Sequence, residues 1–175
     1  MLVVCSDTHA SDAEALTGRT LEAVREADLV VHAGDFTTTD ALDGFRETAP
    51  RFLAVHGNAD APDVKGRLPE SRMFTYGGVQ FAMTHRRDGG DTGLRMFGRE
   101  KGATVVVSGH THRPRFVQTP DVALLNPGSH ADPRGNRPGH AELEETDRGL
   151  DGRLVQPDGT VFERFRIERL DDDGA

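Results

Sequence analysis

The chain has 175 residues, the length of one ordinary domain with a substantial hydrophobic core. Its net charge is -8 and no basic stripe stands out, which argues against stable binding to nucleic acid. Its single cysteine, Cys5, excludes a disulfide framework and a thiolate zinc site, and is expected to be a small core residue. The chain shows neither a secretory signal nor an apolar stretch of membrane-spanning length, so no membrane association and a cytoplasmic location are expected.

The first half of the chain alternates apolar runs with helical patterns. Residues 2–5 and 29–33 are continuous apolar runs typical of buried strands, and a third strand is predicted over residues 51–56. A capping-box pattern at residues 11–14 predicts the start of a first helix, and a second helix is predicted over residues 39–47. Their inward faces are expected to carry Leu16, Leu21 and Val24, and then Leu42 and Phe45. This order predicts an α/β fold with a parallel sheet.

The second half of the chain is dominated by hairpin patterns. Three hairpins are predicted. The first spans residues 72–84 and turns at Gly77-Gly78, and the others span residues 113–125 and 152–168. Between the first two, Asp91 is expected to cap a helix that ends at Gly102, followed by a buried strand over residues 103–108. Residues beyond 129 are rich in Gly, Pro and charge until strand character returns at residue 152. We expect one domain over residues 1–170 and an acidic, disordered tail over residues 171–175.

Five short polar blocks follow hydrophobic runs. They are Asp7-Thr8-His9, Gly34-Asp35, Gly57-Asn58, Thr84-His85 and Gly109-His110-Thr111-His112. Each block alone is more typical of an ordinary turn or surface segment, but the ends of parallel strands can converge on one rim of a sheet. Two Asp, one Asn and four His form a mixed oxygen and nitrogen set that can hold two divalent cations and activate a trapped water.

In this order the blocks resemble the D-x-H, G-D, G-N-x-D/E, H and G-H-x-H motifs of the calcineurin-like metallophosphoesterases, specifically the small single-domain bacterial and archaeal phosphodiesterases. The resemblance covers residues 2 to about 134. It implies a four-layer α/β/β/α sandwich with two mixed sheets. It also implies a dinuclear metal-dependent phosphoesterase, more a phosphodiesterase than a monoesterase, in which a metal-bridging hydroxide attacks a small phosphate ester.

The resemblance further implies which side chains bind the metals. One ion would be held by Asp7, His9, Asp35 and His112, and the other by Asp35, Asn58, His85 and His110. Mn²⁺ is the expected ion, with Ni²⁺, Fe or Zn²⁺ as alternatives that this ligand set does not distinguish. Asn58 and His85 are also expected to act in catalysis, and Asp60 is expected to orient its neighbours.

Some positions depart from the family pattern. Many relatives carry a His that protonates the leaving oxygen where this chain has Ala59, so activated aryl diesters are expected to be better substrates than alkyl diesters. Arg86 and Arg87 are candidates for phosphate binding, although a solvated loop with an Arg–Asp pair is an equal alternative. Arg134 is a further candidate for substrate binding.

The remaining histidines and the wider function leave other options. His32 and His56 are expected to pack inside strands, and His130 is a candidate to line the cleft. A protein-binding scaffold of the same fold, like the subunit of the retromer complex, is the main alternative function. A phosphatase acting on phosphoserine is disfavoured because the chain lacks long insertions. The sequence leaves the physiological substrate and a homo-oligomeric state open.

Overall fold

The computed structural model describes residues 1–11 and 15–169. Its strands are, in chain order, β1 (Leu2–Cys5), β2 (Leu29–His32), β3 (Phe52–Ala54), β4 (Ser71–Tyr76), β5 (Val79–Thr84), β6 (Val105–Val107), β7 (Arg115–Val117), β8 (Ala123–Asn126), β9 (His140–Thr146), β10 (Gly149–Val155) and β11 (Val161–Glu168). Its helices are α1 (Gly18–Glu26), α2 (Thr39–Thr48), α3 (Pro62–Arg67) and α4 (Gly90–Lys101). The predicted tail over residues 171–175 lies outside the described residues.

The first sheet has the strand order β11-β10-β9-β1-β2-β3. Strands β1, β2 and β3 are parallel, with Val3 opposite Val30 and Val30 opposite Phe52, as the strand and helix order predicts. The sequence pattern does not predict strand β9, and β10 begins at Gly149 rather than at residue 152. The reason is chemical. Glu142 of β9 faces α1 on the outer side of the sheet, where it is fully buried against Arg19 and Arg153, so the strand lacks an apolar pattern.

The second sheet has the strand order β4-β5-β6-β8-β7. The predicted hairpins appear as the antiparallel pairs β4–β5 and β7–β8, and β6 pairs in parallel with both β5 and β8. Parallel pairing directs the carboxyl ends of β5 and β6 toward the same edge of the sheet.

Three apolar clusters account for the packing of four layers. The first lies between the sheets and joins side chains such as Val4 and Leu143 to Phe81 and Val107. The second packs α1, α2 and α3 on the outer face of the first sheet, and the third packs α4 on the outer face of the second. The arrangement is the α/β/β/α sandwich with two mixed sheets that the resemblance implies. Cys5 is fully buried, as expected.

The helices differ from the sequence expectations at their ends. The first helix begins at Gly18, after an N-cap at Thr17, rather than at the capping box, of which residues 12–14 lie outside the described part. Helix α4 begins at Gly90 after an N-cap at Gly89, so Asp91 lies in its first turn. Helix α3 was missed because its six residues are too few for a periodic pattern. Within the described residues, none of the helices has the length and apolar character needed to cross a membrane.

Candidate metal centre

Loops at the carboxyl ends of strands from both sheets meet at one edge of the sandwich. They carry Asp7 and His9 after β1, Asp35 after β2, Asn58 after β3, His85 after β5, and His110 and His112 after β6. Backbone hydrogen bonds hold these loops together: Asp7 N donates to Gly34 O at 2.9 Å and Gly109 N donates to His85 O at 3.0 Å. His110 N also donates to the Asp7 carboxylate, which joins segments that are 103 residues apart in the chain.

Asp7 lies at the centre of the first group of potential metal ligands. Its Oδ1 atom is 3.8 Å from Nε2 of His9 and 3.4 Å from Nε2 of His112. The three residues each offer a ligand atom within 4.8 Å of the others. The carboxylate is fully buried and accepts hydrogen bonds from Ser6 Oγ at 2.7 Å and from His110 N at 2.9 Å. These bonds fix the orientation of a charge that would otherwise be costly to bury.

Asp35 lies at the centre of the second group, which comprises Asp7, Asp35 and His85. Its Oδ2 atom is 3.2 Å from Nε2 of His85 and 3.3 Å from Nε2 of His9, while its Oδ1 atom accepts a hydrogen bond from Ala59 N at 2.8 Å. Asp35 thus lies between the His9 side and the His85 side of the centre. Asp7 belongs to both groups, so the two carboxylates together occupy the middle of the centre.

The ring nitrogens of two histidines are assigned by hydrogen bonds to backbone carbonyls. His85 Nδ1 donates to Ala33 O at 2.8 Å, and His112 Nδ1 donates to Asp132 O. In each ring this leaves Nε2, the nitrogen that faces the carboxylates, as the atom available to bind a metal ion.

Asn58 and His110 complete the His85 side. Asn58 Oδ1 lies 3.1 Å from His85 Nε2, and the His110 ring lies edge-on to the His85 ring with 5.4 Å between the ring centroids. On the opposite side, His9 and His112 stack with 4.9 Å between their centroids. All seven side chains singled out in the sequence are thus gathered in one place.

Backbone conformation distinguishes this region from the rest of the molecule. Left-handed φ angles occur at Asp7 (54°), His9 (43°), Asp35 (63°), His110 (73°) and His112 (55°). Residues other than glycine rarely adopt this conformation, and its strain concentrates at functional sites. Glycines permit close approach: a Cβ atom on Gly109 would lie 2.6 Å from Oδ2 of Asp7. The Gly-His pattern in the sequence therefore has a steric reason.

Asp60 does not reach into the centre but holds two of its loops. It is buried, and its carboxylate accepts hydrogen bonds from the backbone N–H groups of Gly57 at 2.7 Å, Thr37 at 2.8 Å and Asp35 at 3.0 Å. These contacts fit the orienting role expected for Asp60.

The carboxylates give the centre a strong affinity for positive charge. Hydrogen bonds to Asp35 and Asp7 raise the pKa of His9 to about 9. Burial opposes ionisation of Asp35, but hydrogen bonds to His85 and His9 hold its pKa well below the ordinary value. Burial lowers the pKa of His85, but the hydrogen bond to Asp35 and the charge of Asp7 outweigh burial, so the pKa is raised above its ordinary value. The carboxylates would stabilise a divalent cation for the same reason that they stabilise these protons.

The candidate arginines lie around the centre in different surroundings. Arg134 Nη2 is 3.5 Å from the His9 ring nitrogens, while its Nε donates to Asp132 at 2.9 Å. Arg86 is exposed and lines cavities on both sides of His85. Arg87 instead lies 4.3 Å over the Phe97 ring, with Nη1 3.3 Å from Glu70. Its acidic partner is thus Glu70, whereas the solvated-loop alternative places an Arg–Asp pair there.

Sequence reasoning missed several side chains that support the centre. Ser129 Oγ donates to Asp7 O at 2.6 Å and accepts from Asp132 N at 2.8 Å. Ser6 donates to the Asp7 carboxylate, and Asp132 supplies the carbonyl that orients His112. The available signal was Asn126-Pro127-Gly128-Ser129, a turn directly after a buried strand.

The other histidines only partly follow the expectations. His32 is buried as expected, bonded to Thr8 Oγ1 at 2.8 Å and stacked on Phe36. His56 is half-buried and lines the cavity beside Asn58, because the strand ends at Ala54; its predicted packing inside a strand is wrong. His130 is buried with its ring edge-on to Phe45 at 6.1 Å, so the cleft placement is wrong for this residue.

Comparison with known proteins agrees with this geometry. Residues 1–149 match the calcineurin-like phosphoesterase superfamily domain. A probable metallophosphoesterase of Methanothermobacter thermautotrophicus is 34% identical over 173 residues, which cover 97% of this chain and 99% of the relative. A phosphodiesterase of Methanocaldococcus jannaschii is 26% identical over 110 residues, which cover 57% of this chain and 65% of that protein.

The fold also has close structural neighbours. Vps29 of Chaetomium thermophilum superposes with a TM-score of 0.79 over 95% of this chain and 97% of that chain. The two sequences are 16% identical, so this similarity concerns the fold alone.

Proposed function

The chain belongs to the calcineurin-like phosphoesterase superfamily, and we propose that it is a dinuclear metal-dependent phosphodiesterase acting on small phosphate esters. The observation that carries this proposal is the position of Asp35, whose Oδ2 atom lies 3.3 Å from His9 and 3.2 Å from His85. One carboxylate can thus serve two neighbouring cation positions. The diester preference is supported by the similarity to the Methanocaldococcus phosphodiesterase.

The proposed ligands divide between two positions. One comprises Asp7, His9, Asp35 and His112, and the other comprises Asp35, Asn58, His85 and His110. Carboxylate, carboxamide and imidazole donors fit Mn²⁺, which we propose as the ion, and they also accommodate Ni²⁺, Fe or Zn²⁺. When bound, such a pair of cations would activate a water molecule near neutral pH and neutralise charge on the phosphoryl oxygens.

The chain's own residues determine what else the site can do. Arg134 and Arg86 flank the centre on the His9 and His85 sides, and their charges would attract the phosphate groups of a substrate. Asn58 and His85 would adjoin the reacting phosphate in this arrangement, while Asp60 holds the loops that present Asn58 and Asp35. Ala59 supplies no proton to a leaving oxygen, because its methyl group cannot donate and its N–H is bonded to Asp35.

The experiment is reconstitution of metal-free protein with each candidate ion, followed by hydrolysis of bis(4-nitrophenyl) phosphate and 4-nitrophenyl phosphate. We expect faster turnover of the diester, loss of activity on chelation, and a fall of about 100-fold or more in Asp35→Asn. Asp43→Asn, on the exposed face of α2, is the matched control. Absence of hydrolysis with every ion, or equal activity of Asp35→Asn, would overturn the proposal.

Two further proposals concern organisation. The packed layers extend over the described residues up to 169, which supports one domain over residues 1–170. The partner that we propose is the small phosphate ester itself. No observation on the described residues favours a protein-binding scaffold, because the similarity to Vps29 concerns the fold alone and the ligand-type side chains are intact.

A further inference from the structure

A cavity of about 270 Å³ adjoins the centre on the His85 side. Its walls include Asn58, His85, Lys65 and Arg86. Because Asn58 and His85 belong to the proposed ligands, the cavity opens directly beside the reacting position. This volume is enough space for a phosphate group.

The cavity wall carries positive charge without acidic partners. Lys65 extends from α3 and its Nζ donates to Asn58 O at 2.9 Å, which holds the ammonium group at the cavity wall. Arg86 follows His85 and is exposed. Within residues 1–11 and 15–169, neither cation has a carboxylate oxygen within the 4.0 Å of an ion pair, so both charges are available to a ligand.

The acidic residue in the same wall does not cancel these charges. Glu70 Oε1 lies 3.3 Å from Arg87 Nη1, so its charge is shared with a guanidinium group outside this cavity. The protein as a whole carries a net charge of -8 and repels anions at long range. Anionic ligands are therefore attracted to this cavity rather than to the acidic protein surface as a whole.

We propose that this cavity binds a second phosphate group carried on one arm of the phosphodiester. The inference rests on the proposed function and specifies the substrate class: diesters that bear a further phosphate in addition to the reacting one. Lys65 is a specificity-determining residue in this account. The proposed cation sites bind the reacting phosphate, whereas Lys65 and Arg86 bind the additional one.

The test uses two chromogenic esters that differ only in one phosphate. They are thymidine 5′-(4-nitrophenyl phosphate) and the same compound with a 3′-phosphate, so the leaving group is identical. We expect kcat/KM to be about tenfold higher for the 3′-phosphorylated ester, and we expect Lys65→Gln to reduce this ratio about fivefold while Lys65→Arg retains it. Lys101→Gln is the control, because Lys101 is the only other lysine and lies at the end of α4.

The outcomes separate this inference from the proposed function. Equal kcat/KM for the two esters, or a ratio that Lys65→Gln leaves unchanged, would overturn the anion cavity while leaving the phosphodiesterase proposal intact. If no ester is hydrolysed with any ion, the proposed function fails. Calorimetric binding of thymidine 3′,5′-bisphosphate and thymidine 5′-phosphate then decides the inference. Tighter binding of the bisphosphate that weakens in Lys65→Gln supports it, and equal binding overturns it.

Discussion

A Cβ atom on Gly57 would lie 2.1 Å from Oδ1 of Asp35, so the loop after β3 can approach the central carboxylate only because residue 57 is glycine. The same loop presents Asn58 to His85 and donates a hydrogen bond from Ala59 N to Asp35. The requirement for glycine at position 57 thereby couples the loop after β3 to the loop after β2, which carries Asp35.

Gly57→Ala should therefore displace Asp35 and weaken metal binding. We expect a loss of about 1–3 kcal/mol in the free energy of unfolding, as for other overpacked sites, together with reduced metal content after dialysis. Urea unfolding and elemental analysis measure the two effects. Gly66→Ala is the matched control, because a Cβ atom there meets nothing within 4 Å. Wild-type metal content in Gly57→Ala would contradict this explanation.

Asp60→Asn should impair the centre although it replaces none of the seven proposed ligands. An amide has one accepting oxygen, whereas the Asp60 carboxylate accepts from the N–H groups of Gly57, Thr37 and Asp35. We expect metal affinity to fall about 10- to 100-fold, measured by competition with a chelating dye. Asp63→Asn, at an exposed position of α3, should bind metal as the wild type does. An unchanged affinity in Asp60→Asn would show that these loops do not depend on the carboxylate.

Ala59→His should restore a proton donor for the leaving oxygen. The Ala59 side chain is exposed, so an imidazole fits, and general acid catalysis matters most for poor leaving groups. We expect alkyl 4-nitrophenyl diesters to lose their alkoxide at least about tenfold faster, with a smaller change for nitrophenolate release. Product analysis by chromatography distinguishes the two leaving groups. Ala59→Asn, which cannot protonate the oxygen, is the control; equal acceleration of both bonds in Ala59→His would count against the account.

His130 should make folding stability depend on pH. Burial, followed by the charge of His140, lowers the pKa of His130 to about 3. The folded state therefore binds this proton less readily than the unfolded state, so the stabilising contribution is complete above about pH 6.5 and decreases as the pH falls toward 3.

Replacement by leucine removes this dependence. Between about pH 8 and about pH 5, the wild type should lose about 2 kcal/mol of unfolding free energy more than His130→Leu does. The comparison uses urea unfolding of both proteins at each pH, so a constant packing change from the substitution cancels. Parallel pH profiles for the two proteins would mean that His130 is protonated equally in the folded and unfolded states.

Much of the fold could be predicted because several strands carry strong local signals. The runs at β1 and β2 and the glycine turn between β4 and β5 are local signals that packing does not override. Strand β9 could not be found in this way. Its Glu142 is stabilised by Arg19 and Arg153, which lie 123 residues before it and 11 residues after it, and such distant pairing leaves no local pattern.

For the centre, the ligand-type side chains were predictable, but the contacts that support them were not. Its side chains follow strand ends, so topology alone brings Asp7, Asp35 and His85 together. The supporting contacts depend on backbone groups rather than residue types: His112 is oriented by a carbonyl of Asp132, and any residue could supply that atom. The predictions for His56 and His130 were wrong because the surroundings of each side chain depend on where a strand or loop ends.

The most direct test of the proposed dinuclear centre is anomalous X-ray diffraction from crystals of the manganese-loaded protein, collected at the manganese edge. We expect two peaks on either side of the Asp35 carboxylate, one beside His9 and His112 and the other beside His85 and Asn58. A single peak, or none at a manganese concentration that supports diester hydrolysis, would contradict the proposed dinuclear centre.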